Sequence, residues 1–162
     1  MIETLREFRG LPHRCERVAY IDRVLYIDDS KATNVGAVCA AISGFSMISR
    51  KNIILIAGGQ SKHDDFGALR DPVRKSVKYC LLLGQASYEL SQILGDVVPV
   101  RRMDTIEECV ASAHAEAKPD DVVLLSPACA SFDMFLDFAD RGAQFQRAVR
   151  DIDNQYSSRE AS

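Results

Sequence analysis

Three short segments contain the residues best suited to chemistry, and each follows an apolar run. Residues 28–34, DDSKATN, combine carboxylates, hydroxyls and an ammonium group. If a helix begins after them, its free N–H groups add a further attraction for an anion. Asp29, Thr33 and Asn34 are also preferred helix caps, so capping alone is an alternative explanation for them. Lys31 is harder to explain by capping, so an anion site and helix capping both remain open for this segment.

The second segment, residues 58–66, has the sequence GGQSKHDDF. Paired glycines allow a backbone to approach a ligand closely, and Lys62 supplies a cation beside them. The segment is not a phosphate-binding P-loop, because the chain has no Gly-Lys-Ser/Thr tripeptide. The alternative is a glycine-rich turn with a solvated lysine. We interpret His63 as a surface residue, and we assign no metal ligand.

The third segment, residues 125–133, has the sequence LSPACASFD. Its small side chains leave room for a ligand, and a helix starting after it would offer N–H donors. Cys129 has the chemistry of a nucleophile, but the sequence assigns no base near it, which favours a buried small residue. For Ser131, helix capping is the alternative to ligand binding.

Short apolar runs alternate with helical-period segments, a pattern typical of βαβ units. It predicts a Rossmann-like α/β fold with a mostly parallel sheet of about six strands, one antiparallel edge strand and helices on both faces. The antiparallel edge comes from two short strands joined only by Asp22 and Arg23. The predicted strands are 18–21, 24–28, 53–57, 79–83, 97–100 and 122–125, and the predicted helices are 34–44, 66–77 with Pro72 disturbing it, 86–94, 105–117 and 132–152.

Ligands of open α/β sheets bind at the carboxyl ends of the strands. All three segments follow predicted strands, so we expect them to meet at one edge of the sheet. Residues 2–8 could form a helix that belongs to an upstream part, because Gly10-Leu11-Pro12 is a break. Residues after Asp153 are polar without periodicity, which predicts a frayed tail.

Composition excludes several classes of function. The 162 residues fit one domain, and the net charge of −3, with 20 basic residues spread along the chain, argues against nucleic acid or an anionic membrane as a partner. The five cysteines form no CxxC pair, so we expect reduced, buried thiols rather than disulfides or structural zinc. Neither a signal peptide nor a membrane helix is apparent, and a cytoplasmic protein is expected.

The three segments together resemble the C-terminal domain of the Mur ligases that add D-glutamate in peptidoglycan assembly. The resemblance rests on DSKATN at 29–34, on GG with Lys62 and Asp65-Phe66, and on LSPACASFD at 125–133, followed by Phe135, Phe138, Arg141-Gly142 and Phe145. Residues 11–14, LPHR, are similar to the joint between the central and C-terminal domains of the family. The likeness covers about residues 3–150, and His63 departs from it at a position where glycine is common.

The resemblance implies a reaction and a set of site residues. ATP would convert the carboxylate of UDP-N-acetylmuramoyl-L-alanine into an acyl phosphate, and the amine of D-glutamate would attack it. Lys62 and Thr33 would meet one carboxylate of D-glutamate, and Ser131 with the backbone N–H of Phe138 the other. The residues implied at the nucleotide are His13, Arg14, Asp29 and Lys31, with Asp29 toward ribose hydroxyls, Arg14 and Lys31 toward phosphate, and Lys31 as the catalytic residue.

By the same resemblance, ATP and Mg²⁺ would be bound mainly by a central domain whose motifs this chain lacks. The expected organisation is an interdomain joint at 1–14, the domain at 15–153 and a flexible tail at 154–162, in a monomer that is inactive as an isolated fragment. Two alternatives stay open. The chain could be the corresponding domain of another Mur ligase or a folylpolyglutamate-type ligase, or a stand-alone module that binds an amino acid or a nucleotide.

Overall fold

A computed structural model describes residues 11–62 and 65–160. The predicted helix at 2–8 and His63 lie outside these residues. Six strands form one sheet in the order β1-β2-β6-β3-β4-β5, in which β1 is antiparallel to β2 and every other neighbouring pair is parallel. The predicted sheet with one antiparallel edge is therefore confirmed. The strands are β1 Glu16–Ile21, β2 Val24–Asp28, β3 Ile53–Gly58, β4 Val77–Leu83, β5 Val100–Arg102 and β6 Val122–Leu125.

Helices cover both faces of this sheet, as predicted. Asn34 caps the first helix, with its side-chain oxygen accepting from the backbone N–H of Ala37 at 2.9 Å. None of the helices within the described residues is both long and apolar enough to cross a membrane. The helices are α1 Val35–Phe45, α2 Arg70–Ser76 preceded by a 3-10 turn at Phe66–Leu69, α3 Ser87–Leu94, α4 Ile106–Glu116 and α5 Phe138–Glu160.

The core consists of two apolar layers separated by the sheet. Successive side chains of a strand point to opposite faces, so Leu55 belongs to one layer while Ile54 and Ile56 belong to the other. The first layer is completed by α1, α2 and α3, and the second by α4 and α5. Because both faces are covered, the central strands are apolar throughout, which explains their uninterrupted apolar runs.

The last helix differs from its prediction at both ends. It begins at Phe138 rather than at 132, because the Asp137 carboxylate accepts from the N–H of Asp140 at 2.8 Å and so caps the first turn. It continues to Glu160, so most of the predicted tail is helical. Ile152 and Tyr156, four residues apart, pack on the second layer and stabilise this extension.

Two further elements have bounds that differ from the predicted ones. The fifth strand is Val100–Arg102 instead of 97–100, because the N–H groups of Val97 and Val98 bond the carbonyl of Leu94 in a turn. The predicted helix at 66–77 is divided into a 3-10 turn and α2, whose first turn contains Pro72, where a missing N–H is tolerated.

None of the five cysteines, all of which lie in the described part of the chain, forms a disulfide. Their expected burial holds for Cys80, Cys109 and Cys129, whereas Cys15 is exposed and Cys39 is partly buried.

The three chemically rich segments meet at the carboxyl edge of the sheet, as predicted. Because β6 lies between β2 and β3, the loop that follows β6 is flanked by the other two. Backbone hydrogen bonds join it to both sides. Ala128 N donates to Ala32 O at 2.9 Å, and Gln60 N donates to Ala130 O at 2.8 Å.

A buried arginine ties two of these loops to α5. Arg141 has no exposed surface, and its guanidinium donates to Ser30 Oγ at 2.9 Å, Ser30 O at 2.8 Å and Cys129 O at 3.1 Å. Burial lowers the pKa of Arg141 to about 10, so the group stays charged at neutral pH. The loop after β2 and the loop after β6 are therefore fixed relative to each other by one cation.

Replacing Arg141 by methionine keeps the aliphatic stem but leaves several buried acceptors without a donor. We expect the free energy of unfolding in urea to fall by about 2 to 4 kcal/mol, since an unsatisfied buried polar group costs about 1 to 3 kcal/mol. Arg147→Met, at an exposed position of the same helix, is the matched control and should change it by less than about 0.5 kcal/mol. Equal effects of the two substitutions would contradict the role of Arg141.

Candidate functional site

Described residues line two cavities at this edge, and the larger, of about 440 Å³, lies between the loop after β2 and one side of α1. Arg14, Asp29 and Lys31 line it, so three of the four residues predicted to meet a nucleotide share one cavity. The opposite wall is apolar and built mostly from small residues of α1, namely Ala37, Ala40, Ala41, Gly44 and Phe45. A ligand with a flat apolar part and an anionic part suits such a cavity.

Asp29 is held rigidly at the side of this cavity. Its carboxylate accepts from Ser126 Oγ at 2.8 Å and from Cys15 N at 3.2 Å, one bond on each oxygen. Burial raises the pKa of Asp29, and these hydrogen bonds act in the opposite direction. Each oxygen keeps a further lone pair, so the carboxylate can accept from hydroxyl groups of a ligand.

Cys15 also lines the larger cavity, but its thiol has low reactivity. Although Cys15 is exposed as a whole, partial desolvation of its thiol and the neighbouring Asp29 carboxylate raise the pKa of that thiol to about 11. Because the thiolate is the reactive form, Cys15 is a poor nucleophile at neutral pH.

His13, the fourth predicted nucleotide residue, stands beside this cavity rather than among its lining residues. Its carbonyl accepts from Lys31 N at 3.0 Å, and its ring Nδ1 lies 2.7 Å from Asp28 Oδ2. The His13 ring also meets the Phe138 ring edge-on, with 6.2 Å between centroids. His13 thus connects the 11–14 turn to the loop after β2.

The smaller cavity, of about 160 Å³, brings together all four residues predicted to bind D-glutamate. Thr33 comes from the loop after β2, Lys62 from the loop after β3, Ser131 from the loop after β6 and Phe138 from the start of α5. Ser131 is buried and Lys62 is exposed. The remaining lining residues, Ala130 and Phe132, carry no charge, so the described lining is positive.

Phe138 and Lys31 stand between the two cavities. As the first residue of α5, Phe138 has an N–H without a carbonyl partner inside the helix. Its own carbonyl accepts from Ser30 Oγ at 2.7 Å. Lys31 lines the larger cavity, yet its ammonium lies 4.6 Å from the centre of the Phe138 ring, which lines the smaller one. The Lys31 ammonium, from the larger cavity, therefore contacts a residue that lines the smaller one.

The paired glycines serve backbone packing at this edge. A side-chain carbon on Gly59, whose φ is +132°, would lie 2.2 Å from the carbonyl oxygen of Ala130. One on Gly58 would lie 2.1 Å from the carbonyl oxygen of Leu83. The sequence suggested a close approach to a ligand, whereas the structure shows close approach between neighbouring loops and strands.

Sequence reasoning gave no role to four residues that organise this edge: Asp28, Ser126, Arg141 and Gln146. The signal for Arg141 was its spacing, because it lies three residues after Phe138 and four before the buried Phe145, on the same face of α5. His13, Glu16 and Asp28 offer metal-ligand atoms within 4.8 Å of one another. The carboxylates of Glu16 and Asp28 already accept from Gln146 Nε2, so hydrogen bonding accounts for the cluster.

The chain is similar to several known proteins. The family model described as Mur ligase, glutamate ligase domain matches residues 13–129. A UDP-N-acetylmuramoylalanine--D-glutamate ligase of Pseudomonas fluorescens is 50% identical over 152 residues, which are 94% of this chain and 34% of the relative. The corresponding ligase of Acinetobacter baylyi is 46% identical over 152 residues, covering 92% and 34%. The chain thus spans about a third of the length of the curated relatives it matches.

Solved structures share the fold at lower identity. A bifunctional folylpolyglutamate synthase/dihydrofolate synthase from Yersinia pestis, complexed with AMPPNP and Mn ion, has a TM-score of 0.64 and 19% identity over 87% of this chain and 32% of its own. The MurF ligase of Thermotoga maritima, in complex with ADP, has a TM-score of 0.60 and 16% identity, covering 93% and 34%. Since the family model spans most of the chain, from the 11–14 turn to the loop after β6, the chain belongs to the Mur ligase, glutamate ligase domain family.

Proposed function

We propose that this chain forms the C-terminal domain of an ATP-dependent ligase that joins D-glutamate to UDP-N-acetylmuramoyl-L-alanine in peptidoglycan assembly. The observation that carries the proposal is the smaller cavity, where Thr33, Lys62, Ser131 and Phe138 converge from four elements. D-Glutamate has two carboxylates, and this cavity offers a cation, two hydroxyls and a helix N–H. The names of relatives about 50% identical to the chain favour the same amino acid over that of the folylpolyglutamate-type neighbours, which share only the fold.

In this proposal the smaller cavity fixes the amino acid by its carboxylates. Lys62 and Thr33 bind one of them, and Ser131 with the N–H of Phe138 binds the other. Holding both ends fixes the amine between them, and such placement is a large part of catalysis in a two-substrate reaction. The positive lining also favours a doubly anionic ligand over a neutral one.

The larger cavity takes the nucleotide. Asp29, already fixed by Ser126 and Cys15, accepts from ribose hydroxyls, and the small residues of α1 leave space for the base. Bound ATP supplies the phosphoryl group that activates the acceptor carboxylate. Arg14 and Lys31 neutralise phosphate charge, and the place of Lys31 between the cavities suits it to the transferring group.

The remaining parts of the reaction belong to the rest of the ligase. Mg²⁺ and most of the ATP contacts fall to a preceding domain, with residues 1–14 as the joint and the tight turn between Leu11 and Arg14 at its end. We place the ligase in the cytoplasm as a monomer. The stand-alone binding module is the competing proposal, and the length of the relatives argues against it.

The 162-residue chain alone should neither hydrolyse ATP nor form the amide, because it has no Gly-Lys-Ser/Thr phosphate loop. Release of phosphate would be followed with D-glutamate, UDP-N-acetylmuramoyl-L-alanine and magnesium present. The ligase that contains the chain is the positive control. Steady phosphate release by the chain, surviving removal of contaminating ATPases, would refute this division of labour.

Lys62→Ala in the ligase should lower kcat/KM for D-glutamate roughly tenfold to hundredfold and leave the KM for ATP nearly unchanged. A charge-assisted bond to a carboxylate is worth about 1.5 to 3 kcal/mol, and about 1.4 kcal/mol corresponds to a factor of ten. Lys51→Ala, at an exposed position just before the first residue of β3, is the matched control. If Lys62→Ala acted within about twofold, or weakened ATP instead, the assignment of the smaller cavity would be wrong.

A further inference from the structure

A carboxylate with no exposed surface lies behind His13, at the end of β2. Asp28 Oδ2 is 2.7 Å from His13 Nδ1 and accepts from Gln146 Nε2 at 2.8 Å, while its Oδ1 accepts from Ser30 N at 2.9 Å. Asp28 is thus bonded from the 11–14 turn, from the loop after β2 and from α5. Because a carboxylate is an acceptor, the contact with His13 requires a hydrogen on Nδ1 of the ring.

The rest of His13 is also fixed. Its backbone N–H donates to Glu16 Oε2 at 2.9 Å, and its φ of 59° places it in the left-handed region that non-glycine residues seldom adopt. Gly142 makes room for the ring, since a side-chain carbon there would lie 2.2 Å from His13 Nδ1. The left-handed backbone of His13 and the space left by Gly142 together hold this imidazole in one place.

Gln146 completes this hydrogen-bond network, and the partners of its amide show which of its atoms donates and which accepts. Its Nε2 donates to both Asp28 and Glu16, and its Oε1 accepts from Arg150 at 2.9 Å. The amide therefore cannot supply a hydrogen bond to the far side of the ring. Among the described residues, none bonds Nε2 of His13.

We propose that Asp28 is a positioning residue that fixes His13 as the Nδ1–H tautomer, which leaves Nε2 as the ring nitrogen able to meet a nucleotide in the neighbouring larger cavity. The nucleotide part of this inference rests on the proposed function, whereas the tautomer does not. In a neutral ring of this form Nε2 can only accept a hydrogen bond, so its partner is a hydroxyl or amino group of the nucleoside rather than a phosphate oxygen.

The tautomer can be measured on the chain itself. Long-range ¹H–¹⁵N correlation spectra distinguish the two neutral forms of each histidine, and the signal lost in His13→Gln identifies His13. We expect the Nδ1–H form in the unsubstituted chain. Asp28→Asn removes the charged acceptor that holds the hydrogen on Nδ1, so a share of the ring should shift to the Nε2–H form. Asp22→Asn, at an exposed position in the β1–β2 turn, should leave the tautomer unchanged. An Nε2–H form in the unsubstituted chain would overturn the inference without any variant.

The consequence for the nucleotide is measured in the ligase. Asp28→Asn should raise the KM for ATP roughly three- to tenfold, the loss expected for one misdirected hydrogen bond, with the KM for D-glutamate within about twofold. A general loss of structure would change both KM values and kcat together. An unchanged KM for ATP, in a variant whose tautomer has moved, would overturn the role at the nucleotide. Failure of the ligase to use D-glutamate would refute the proposed function and leave the tautomer result intact.

Discussion

The buried guanidinium of Arg141 determines the relative positions of the loops at the carboxyl edge of the sheet. It donates to the backbone and hydroxyl of Ser30 on one side and to the carbonyl of Cys129 on the other, and it extends from the first turn of the last helix. A charged group without exposed surface needs its donors satisfied, and the observed arrangement of these loops supplies the acceptors. That arrangement places Lys31 and Ser131, which flank the bonded residues, next to the two cavities.

Because of this constraint, the loop after β2 divides the carboxyl edge of the sheet into two parts. Residues 29–34 have the larger cavity on one side, lined by Asp29 and Lys31, and the smaller on the other, lined by Thr33. The two ligands proposed for these cavities, a nucleotide and a dicarboxylic amino acid, would then be separated by the width of a single backbone segment. Lys31 lines the larger cavity, and its ammonium lies against the ring of Phe138, a residue of the smaller one. A ligase needs this proximity, because the activated carboxylate must form beside the waiting amine.

The sequence was most informative where local chemistry decides the structure. The two-residue turn at Asp22-Arg23, the Asn34 cap and the apolar strands 53–58 and 122–125 follow from patterns within a few residues. The helix start at Phe138 did not, because the residues after Ser131 form a turn in which the N–H groups of Met134 and Phe135 both bond the carbonyl of Ser131. The extension of that helix to Glu160 depends on contacts with α4, which are distant in sequence.

The candidate site shows the same limit. Residues 28–34 and 125–133 could be recognised as chemically unusual from their types alone, and resemblance supplied a role for each. Arg141 and Gln146 lie on a helix, where a charged or amide side chain ordinarily faces solvent, so only the packed structure shows that they are buried behind the loops. In the sequence, Asp28 is one of two neighbouring acids, and only the structure shows its bonds to His13 and Gln146.

The loop at residues 29–34 is proposed to separate an amino-acid cavity from a nucleotide cavity. A crystal structure of the ligase with D-glutamate and a nucleotide bound together tests it most directly. We expect one carboxylate of D-glutamate within about 3.5 Å of Lys62 Nζ and the other at the same distance from Ser131 Oγ, with ribose hydroxyls at Asp29. D-Glutamate bound away from these side chains, or the nucleotide bound on the Thr33 side of the loop, would contradict the account.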